Sequence, residues 1–227
     1  MEAALPTIAI IGGTGALGAA LARRLAAGGY SVTVGSRDFD RARAVATTLS
    51  VQAGRSVGAD RNAAAASAAD IVVLAVPYAA HSGAMHEIRA FVAGKLVVDT
   101  TVPLTPRVMR VQLPEEGSAA VAAQRILGTR VVSAFHNVAA QKLAAADHID
   151  CDVLVFGDAA EDREMVIRMV EACGLRGLHA GVLANSAAAE ALTSVLIFIN
   201  RAYAVDGAGI RITGELRPNR APSREGS

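Results

Sequence analysis

The chain is poor in several residues that would otherwise define a function class. It has two cysteines, Cys151 and Cys173, in 227 residues. They show neither zinc-ligand spacing nor a CxxC pairing, so a disulfide scaffold and a structural zinc site are both excluded. A reducing, cytoplasmic setting is the expectation. Charge is scarce and balanced: charged residues make up 19% and the net charge is +1. That balance argues against nucleic acid or an anionic membrane surface as the main partner. The first residues, MEAALPT, lack the basic and apolar regions of a signal peptide. No apolar run approaches the ~18–20 residues of a membrane span. The longest candidate, Leu192–Ile199, is interrupted by Thr193 and Ser194.

Catalytic donors are also scarce. The three tyrosines are Tyr30, Tyr78 and Tyr203, and the two lysines are Lys95 and Lys142. Positions four residues beyond the tyrosines hold Val34, Ser82 and Gly207. The tyrosine–lysine pair of short-chain dehydrogenases is therefore absent, together with its proton donor beside the hydride. Lys95, in a Gly-Lys turn, is expected to be solvated, and Lys142 to lie at the surface. His81 and His86 are five apart, a poor metal spacing. The cluster His148, Asp150, Cys151 and Asp152 fits no metal pattern and is expected to be a solvated loop. No metal site is expected.

What is present is hydrophobic and regular. Apolar residues make up 52% of the chain, enough for a substantial core. Strand-like runs at 7–11, 31–34, 71–76, 96–99, 130–134 and 152–156 are separated by helical patterns. Those patterns cover 16–27, 40–49, 80–92, 118–127 and 160–173, and a long apolar helix follows over 187–203. This alternation predicts an α/β fold, a doubly wound parallel sheet of Rossmann type. The expected organisation is a nucleotide-binding domain over 1–180, a small C-terminal cleft and dimer segment over 181–214, and a disordered tail over 215–227.

The most informative stretch is AIIGGTGALGAALARRLA, beginning at Ala9. Gly13, Gly15 and Gly18 fit GxGxxG between a strand and a helix, the context a dinucleotide pyrophosphate requires. The end of the second strand then sets the nucleotide. An NAD site usually places a carboxylate there for the ribose 2′-hydroxyl. This chain has Gly35, Ser36 and Arg37, with Arg41 one helical turn on. A hydroxyl and guanidinium groups favour a 2′-phosphate, hence NADP over NAD. Asp38 is read as the cap of the following helix. His136 follows VVSAF at the C-terminal end of a buried strand, where open α/β sheets place ligands. A structural histidine is the competing reading there.

These stretches resemble the F420H2:NADP oxidoreductases, the NADP-dependent reductases of coenzyme F420, over about residues 7–213. The marks are IGGTGALG, VGSR at Val34–Arg37, VLAVPY at Val73–Tyr78, VVSAFH at Val131–His136, DVLVFGD at Asp152–Asp158 and LANS at Leu183–Ser186. The resemblance implies that Thr14, Gly15, Ala16 and Leu17 hold the pyrophosphate, and that Ser36, Arg37 and Arg41 hold the 2′-phosphate. It implies Val76, Tyr78 and Ala140 near the nicotinamide, and His136 and Val138 against the deazaflavin. It also implies a homodimer. The chain departs from the family pattern at Ala16, where asparagine is common. It departs again at Asn137 and Ala139, where threonine and proline are expected. Hydride transfer between two stacked rings needs positioning rather than a buried proton relay, which accounts for the missing acid. NADPH-dependent reduction of a flavin, imine or small carbonyl remains an alternative, as does an NADP(H) sensor without turnover.

Overall fold

The computed structural model describes residues 4–104, 110–145 and 148–217. Most of the tail expected to be disordered, 218–227, lies outside the described residues. One eight-stranded sheet organises the molecule, in the order β3-β2-β1-β4-β5-β6-β7-β8. Its strands are β1 (Ile8–Ile11), β2 (Val32–Ser36), β3 (Val57–Arg61), β4 (Ile71–Leu74), β5 (Leu96–Asp99), β6 (Arg130–Ser133), β7 (Asp152–Gly157) and β8 (Arg176–His179). All neighbours pair in parallel except β6 and β7. The first six strands follow the doubly wound order of dinucleotide-binding sheets.

The helices are α1 (Ala16–Ala27), α2 (Phe39–Ala53), α3 (Asn62–Ala68), α4 (Tyr78–Ile88), α5 (Ala119–Leu127), α6 (Ala140–Ala145), α7 (Ala160–Ala172) and α8 (Ser186–Tyr203). They cover both faces of the sheet, which is why the central strands are apolar on both sides. Ile8 and Ile10 pack with Leu21 of α1, Ala42 of α2 and Val166 of α7. Their neighbours Ala9 and Ile11 point the other way, to Ala65 of α3, Met85 of α4 and Ala120 of α5. The period-two alternation of the strand thus feeds two cores.

Several elements depart from the sequence expectation. β3 and α3 were not expected, because VGADR carries too little apolar character to read as a strand. It is an edge strand, held by β2 on one side. β8 (RGLH) is missing from the pattern for the same reason, and α6 (AQKLAA) because six residues are too few to show a helical period. β2 extends to Ser36, two residues beyond the expected end at Val34. β4 stops at Leu74, and Pro77 sits at the N-cap of α4, which ends at Ile88 rather than at 92.

Candidate functional site

The β1–α1 turn is built so that backbone can approach a ligand. Gly12 has φ +81, a left-handed conformation that favours glycine. A Cβ at Gly12 would lie 2.6 Å from the Ala75 carbonyl oxygen, and one at Gly18 would lie 2.5 Å from the Gly12 carbonyl oxygen. The positive φ therefore falls on Gly12, one residue before the first glycine of the motif. Gly13 is buried and its N–H is 3.1 Å from the Ile10 carbonyl oxygen. It shapes the turn and does not line the cleft. No side chain caps the N-terminus of α1, and its first turn holds no acidic residue. The free N–H groups and the helix dipole are left for an anion.

A cavity of about 870 Å³ opens over this turn, and its wall includes Gly12, Thr14, Gly15, Ser36, Arg37 and Arg41. Asp38 also reaches this wall, but its carboxylate accepts from the Arg41 N–H at 3.1 Å as the N-cap of α2. Arg37 and Arg41 bring two guanidinium groups to the same wall. Asn62, next to the end of β2, and Val76 and Glu87 complete the wall.

A second cavity of about 410 Å³ shares Gly15, Ala75, Val76, Pro77 and Ala79 with the first. The two therefore form one continuous cleft along the carboxyl ends of the strands. The inner part is walled by Ala16, Leu17, Tyr78, Thr101, His136, Val138, Ala140 and Thr193. It gathers the remaining expected site residues from α1, α4, the loop after β6, and α6. Arg23 and Arg24 of α1 donate to the Leu143 carbonyl oxygen, at 3.2 and 2.6 Å, and so hold α6 with Ala140 at this position.

His136 is the most constrained of these groups. Phe135 before it has φ +68, a left-handed conformation in a bulky residue, the kind of backbone strain that collects at ligand sites. That turn carries His136 away from the line of β6. Its Nε2 lies 2.7 Å from Ser133 Oγ, while its buried Nδ1 has no partner. Burial pushes the imidazole down to about 4, against the opposing pull of Asp99, so the ring is neutral at physiological pH. Thr101 Oγ1 is also buried without a partner. Two buried polar atoms without a partner, in two residues that line one apolar cleft, are unusual in a folded protein.

α8 closes this part of the cleft. Thr193 Oγ1 donates to the His136 carbonyl oxygen at 3.0 Å. Glu190 accepts from the Ala119 and Ala120 N–H groups, at 2.7 and 3.2 Å, and so caps α5. Ser186 Oγ meets Ser118 Oγ at 2.8 Å. Desolvation pushes the Glu190 carboxyl up to about 7; the two backbone bonds oppose it and Asp99 adds to it.

Other residues take up structural roles. Lys95, expected to be solvated, donates to the Ala66 and Ser67 carbonyl oxygens at 2.8 and 2.7 Å and ties β5 to α3. Lys142 pairs with Asp206. His81, dismissed as a metal ligand, is buried with Nε2 2.8 Å from Asp99 Oδ2. The cluster at 148–152 is not a uniform solvated loop. Asp152 is buried at the start of β7, in a two-bond contact with Arg176 that holds its carboxyl low. Asn137 Nδ2 bonds to the Asp152 carbonyl oxygen at 2.7 Å. Asn137 therefore faces β7, and neither it nor Ala139 lines the cleft. Among the described residues no cluster of three or more metal-ligating side chains occurs.

With this geometry in view, known proteins give a consistent comparison. The profile of the NADP oxidoreductases described as coenzyme F420-dependent matches residues 7–103. An F420-dependent NADP reductase of Methanothermobacter thermautotrophicus is 40% identical over 91% of this chain and 94% of its own. The chain belongs to the F420-dependent NADP reductases. A second member of the family, from Methanocaldococcus jannaschii, is 36% identical over 91% of this chain and 97% of its own. Among solved structures, a candidate F420-dependent NADP-reductase from Arthrobacter sp. FB24 superposes with a TM-score of 0.76. It is 25% identical, and the match covers 92% of this chain and all of that one. An imine reductase variant from Myxococcus stipitatus, 21% identical with a TM-score of 0.63, shares the fold; the match covers 88% of this chain and 62% of that one.

Proposed function

We propose that the chain transfers a hydride between NADP(H) and the deazaflavin coenzyme F420. The observation that carries this reading is the continuity of the cleft. A nucleotide-sized outer part, with two arginines, runs into a narrower apolar inner part. When bound, the nicotinamide and the deazaflavin supply the hydride donor and acceptor carbons. The protein's task is to hold two flat rings in register and keep water out.

The fit to a dinucleotide rests on the glycine turn, which a Cβ would fill, and on the uncapped N-terminus of α1. Thr14, Gly15, Ala16 and Leu17 hold the pyrophosphate, and Ser36, Arg37 and Arg41 hold the 2′-phosphate. Val76, Tyr78 and Ala140 border the nicotinamide. His136 and Val138 face the deazaflavin, with the neutral His136 Nδ1 available to a polar ring edge. No side chain is required as a buried general acid. The nucleotide unit takes in residues 1–180, and 181–214 form the lid of the cleft and a surface for a second copy. Val195 and Phe198 are exposed on α8 and support a homodimer with that helix at its interface. Such an enzyme works in the cytoplasm on small coenzymes, with no role for nucleic acid or a membrane.

Arg37→Ala tests the nucleotide half. Dissociation constants for NADPH and NADH are measured on wild type and variant. NADPH binding should weaken by about tenfold or more, as expected for loss of a charge-assisted bond, with NADH little changed. Equal losses for both nucleotides would contradict a 2′-phosphate role.

A further inference from the structure

One polar group in the outer cleft is left unexplained by the glycine turn and the arginines. Asn62 opens α3 directly after β3 and is only 4% exposed. Its Nδ2 donates to Glu87 Oε2 of α4 at 2.9 Å. Its Oδ1 is buried and has no partner. Buried amide oxygens are rarely left without a donor, because desolvation then goes uncompensated. The amide belongs to the cleft wall, together with Glu87. Its orientation is fixed by chemistry: a carboxylate only accepts, so the amino side must face Glu87 and the oxygen must face away.

The position of this oxygen narrows its partner. A Cβ built on Gly35 would lie 3.2 Å from Asn62 Oδ1. Gly35 immediately precedes Ser36, the first of the residues assigned to the 2′-phosphate. Ser36 in turn pairs in register with Arg61, the residue before Asn62. The acceptor therefore stands behind the strand end that holds the 2′-phosphate. It cannot serve the phosphate itself, since two acceptors repel. In a 2′-phosphorylated adenosine, the ribose keeps one free hydroxyl, on the neighbouring carbon.

We infer that Asn62 Oδ1 accepts a hydrogen bond from the 3′-hydroxyl of the adenosine ribose, making Asn62 a further nucleotide-binding residue whose amide is oriented by Glu87. This rests on reading the outer cleft as the NADP site. It adds an acceptor to a subsite whose assigned residues, Ser36, Arg37 and Arg41, act as donors. Asn62 would thus read the sugar while Arg37 and Arg41 read the charge.

The test measures binding at equilibrium, without turnover. Three nucleotides are titrated into wild type and Asn62→Ala: NADPH, its 3′-deoxy analogue, and the analogue with hypoxanthine in place of adenine. Wild type should bind NADPH roughly fivefold tighter than the 3′-deoxy form, the worth of one hydrogen bond. Asn62→Ala should bind NADPH roughly fivefold more weakly and no longer distinguish it from the 3′-deoxy form. Any preference against hypoxanthine should be the same in both proteins. The wild-type comparison needs no substitution, so it holds even if the variant folds poorly. Equal wild-type affinity for NADPH and its 3′-deoxy analogue would overturn the assignment. So would a hypoxanthine penalty that disappears in Asn62→Ala, which would place the adenine amino group on Oδ1. Failure of NADPH to bind wild type at all would instead overturn the reading of the cleft.

Discussion

At the scale of single residues, the inner cleft works by leaving polar atoms unsatisfied among apolar neighbours. His136 is the clearest instance. Its Nε2 is engaged by Ser133, its Nδ1 is free, and burial holds it neutral down to about 4. The proton linkage has a definite sign. Between the ordinary histidine value near 6.5 and about 4, the unfolded chain binds a proton that the folded site refuses. Stability contributed by neutral His136 is therefore present above that window and is lost as pH falls through it. Over the same reasoning, turnover should show no His136 titration between pH 6 and 8. His136→Ala should lower turnover with F420 by on the order of tenfold to a hundredfold, through loss of ring positioning. NADPH affinity should be unchanged in that variant. Single-turnover rates alongside nucleotide titrations check both, and an unchanged rate would return His136 to a structural role.

At the scale of elements, the site depends on two helices held by different means. α1 is placed by local sequence: glycines at 12, 13, 15 and 18 dictate the turn, and their logic is visible in the chain alone. The same holds for the Asp38 cap, whose side chain accepts from the Arg41 N–H, whereas Ser118, inside the expected helix, is the cap of α5 and accepts from Val121. α8 is placed by long-range contacts that no local pattern discloses. Glu190 carries no local signal of its role, yet it is 1% exposed and caps α5 from 70 residues away. Lys95 and His81 were likewise unreadable, because their partners at Ala66, Ser67 and Asp99 come together only through the sheet. β3 and β8 lack apolar alternation and exist through pairing with a neighbour. Glu190 leads to a test at this scale. Its carboxyl stands at about 7 in the fold, against an ordinary value of 4.5. Its contribution to stability is thus fully present below pH 4.5 and is lost as pH rises through 7. Glu190→Gln, neutral throughout, should flatten that part of the melting temperature against pH profile. A profile that keeps the wild-type fall between pH 4.5 and 7 would assign the fall to other groups.

At the scale of the whole molecule, the distribution of apolar surface separates a sealed body from an open helix. The central strands are buried on both faces, and burial pushes the Cys173 thiol up to about 12. α8 differs: the stretch Leu183–Tyr203 is long and apolar enough to cross a membrane by length and composition, and only 33% of its apolar 18-residue window is buried. Its polar side chains, Ser186, Glu190, Thr193 and Ser194, turn inward to α5, to the His136 carbonyl and to the Arg110 carbonyl. Val195 and Phe198 turn outward. A second copy covering that face would leave the inward anchors intact, whereas insertion in a bilayer would strip them from their partners. Phe198→Glu should therefore shift a dimer to a monomer in sedimentation, with NADPH binding retained. A variant that sediments like wild type would contradict a dimer formed through α8.

Hydride transfer between NADPH and coenzyme F420 is tested most directly by mixing the purified protein with both and following the visible absorbance of the oxidised deazaflavin. Rapid bleaching that requires NADPH, and is much slower with NADH, is the expected result. No bleaching by a protein that still binds NADPH would contradict F420 as the acceptor, and the search would turn to a flavin, an imine or a small carbonyl.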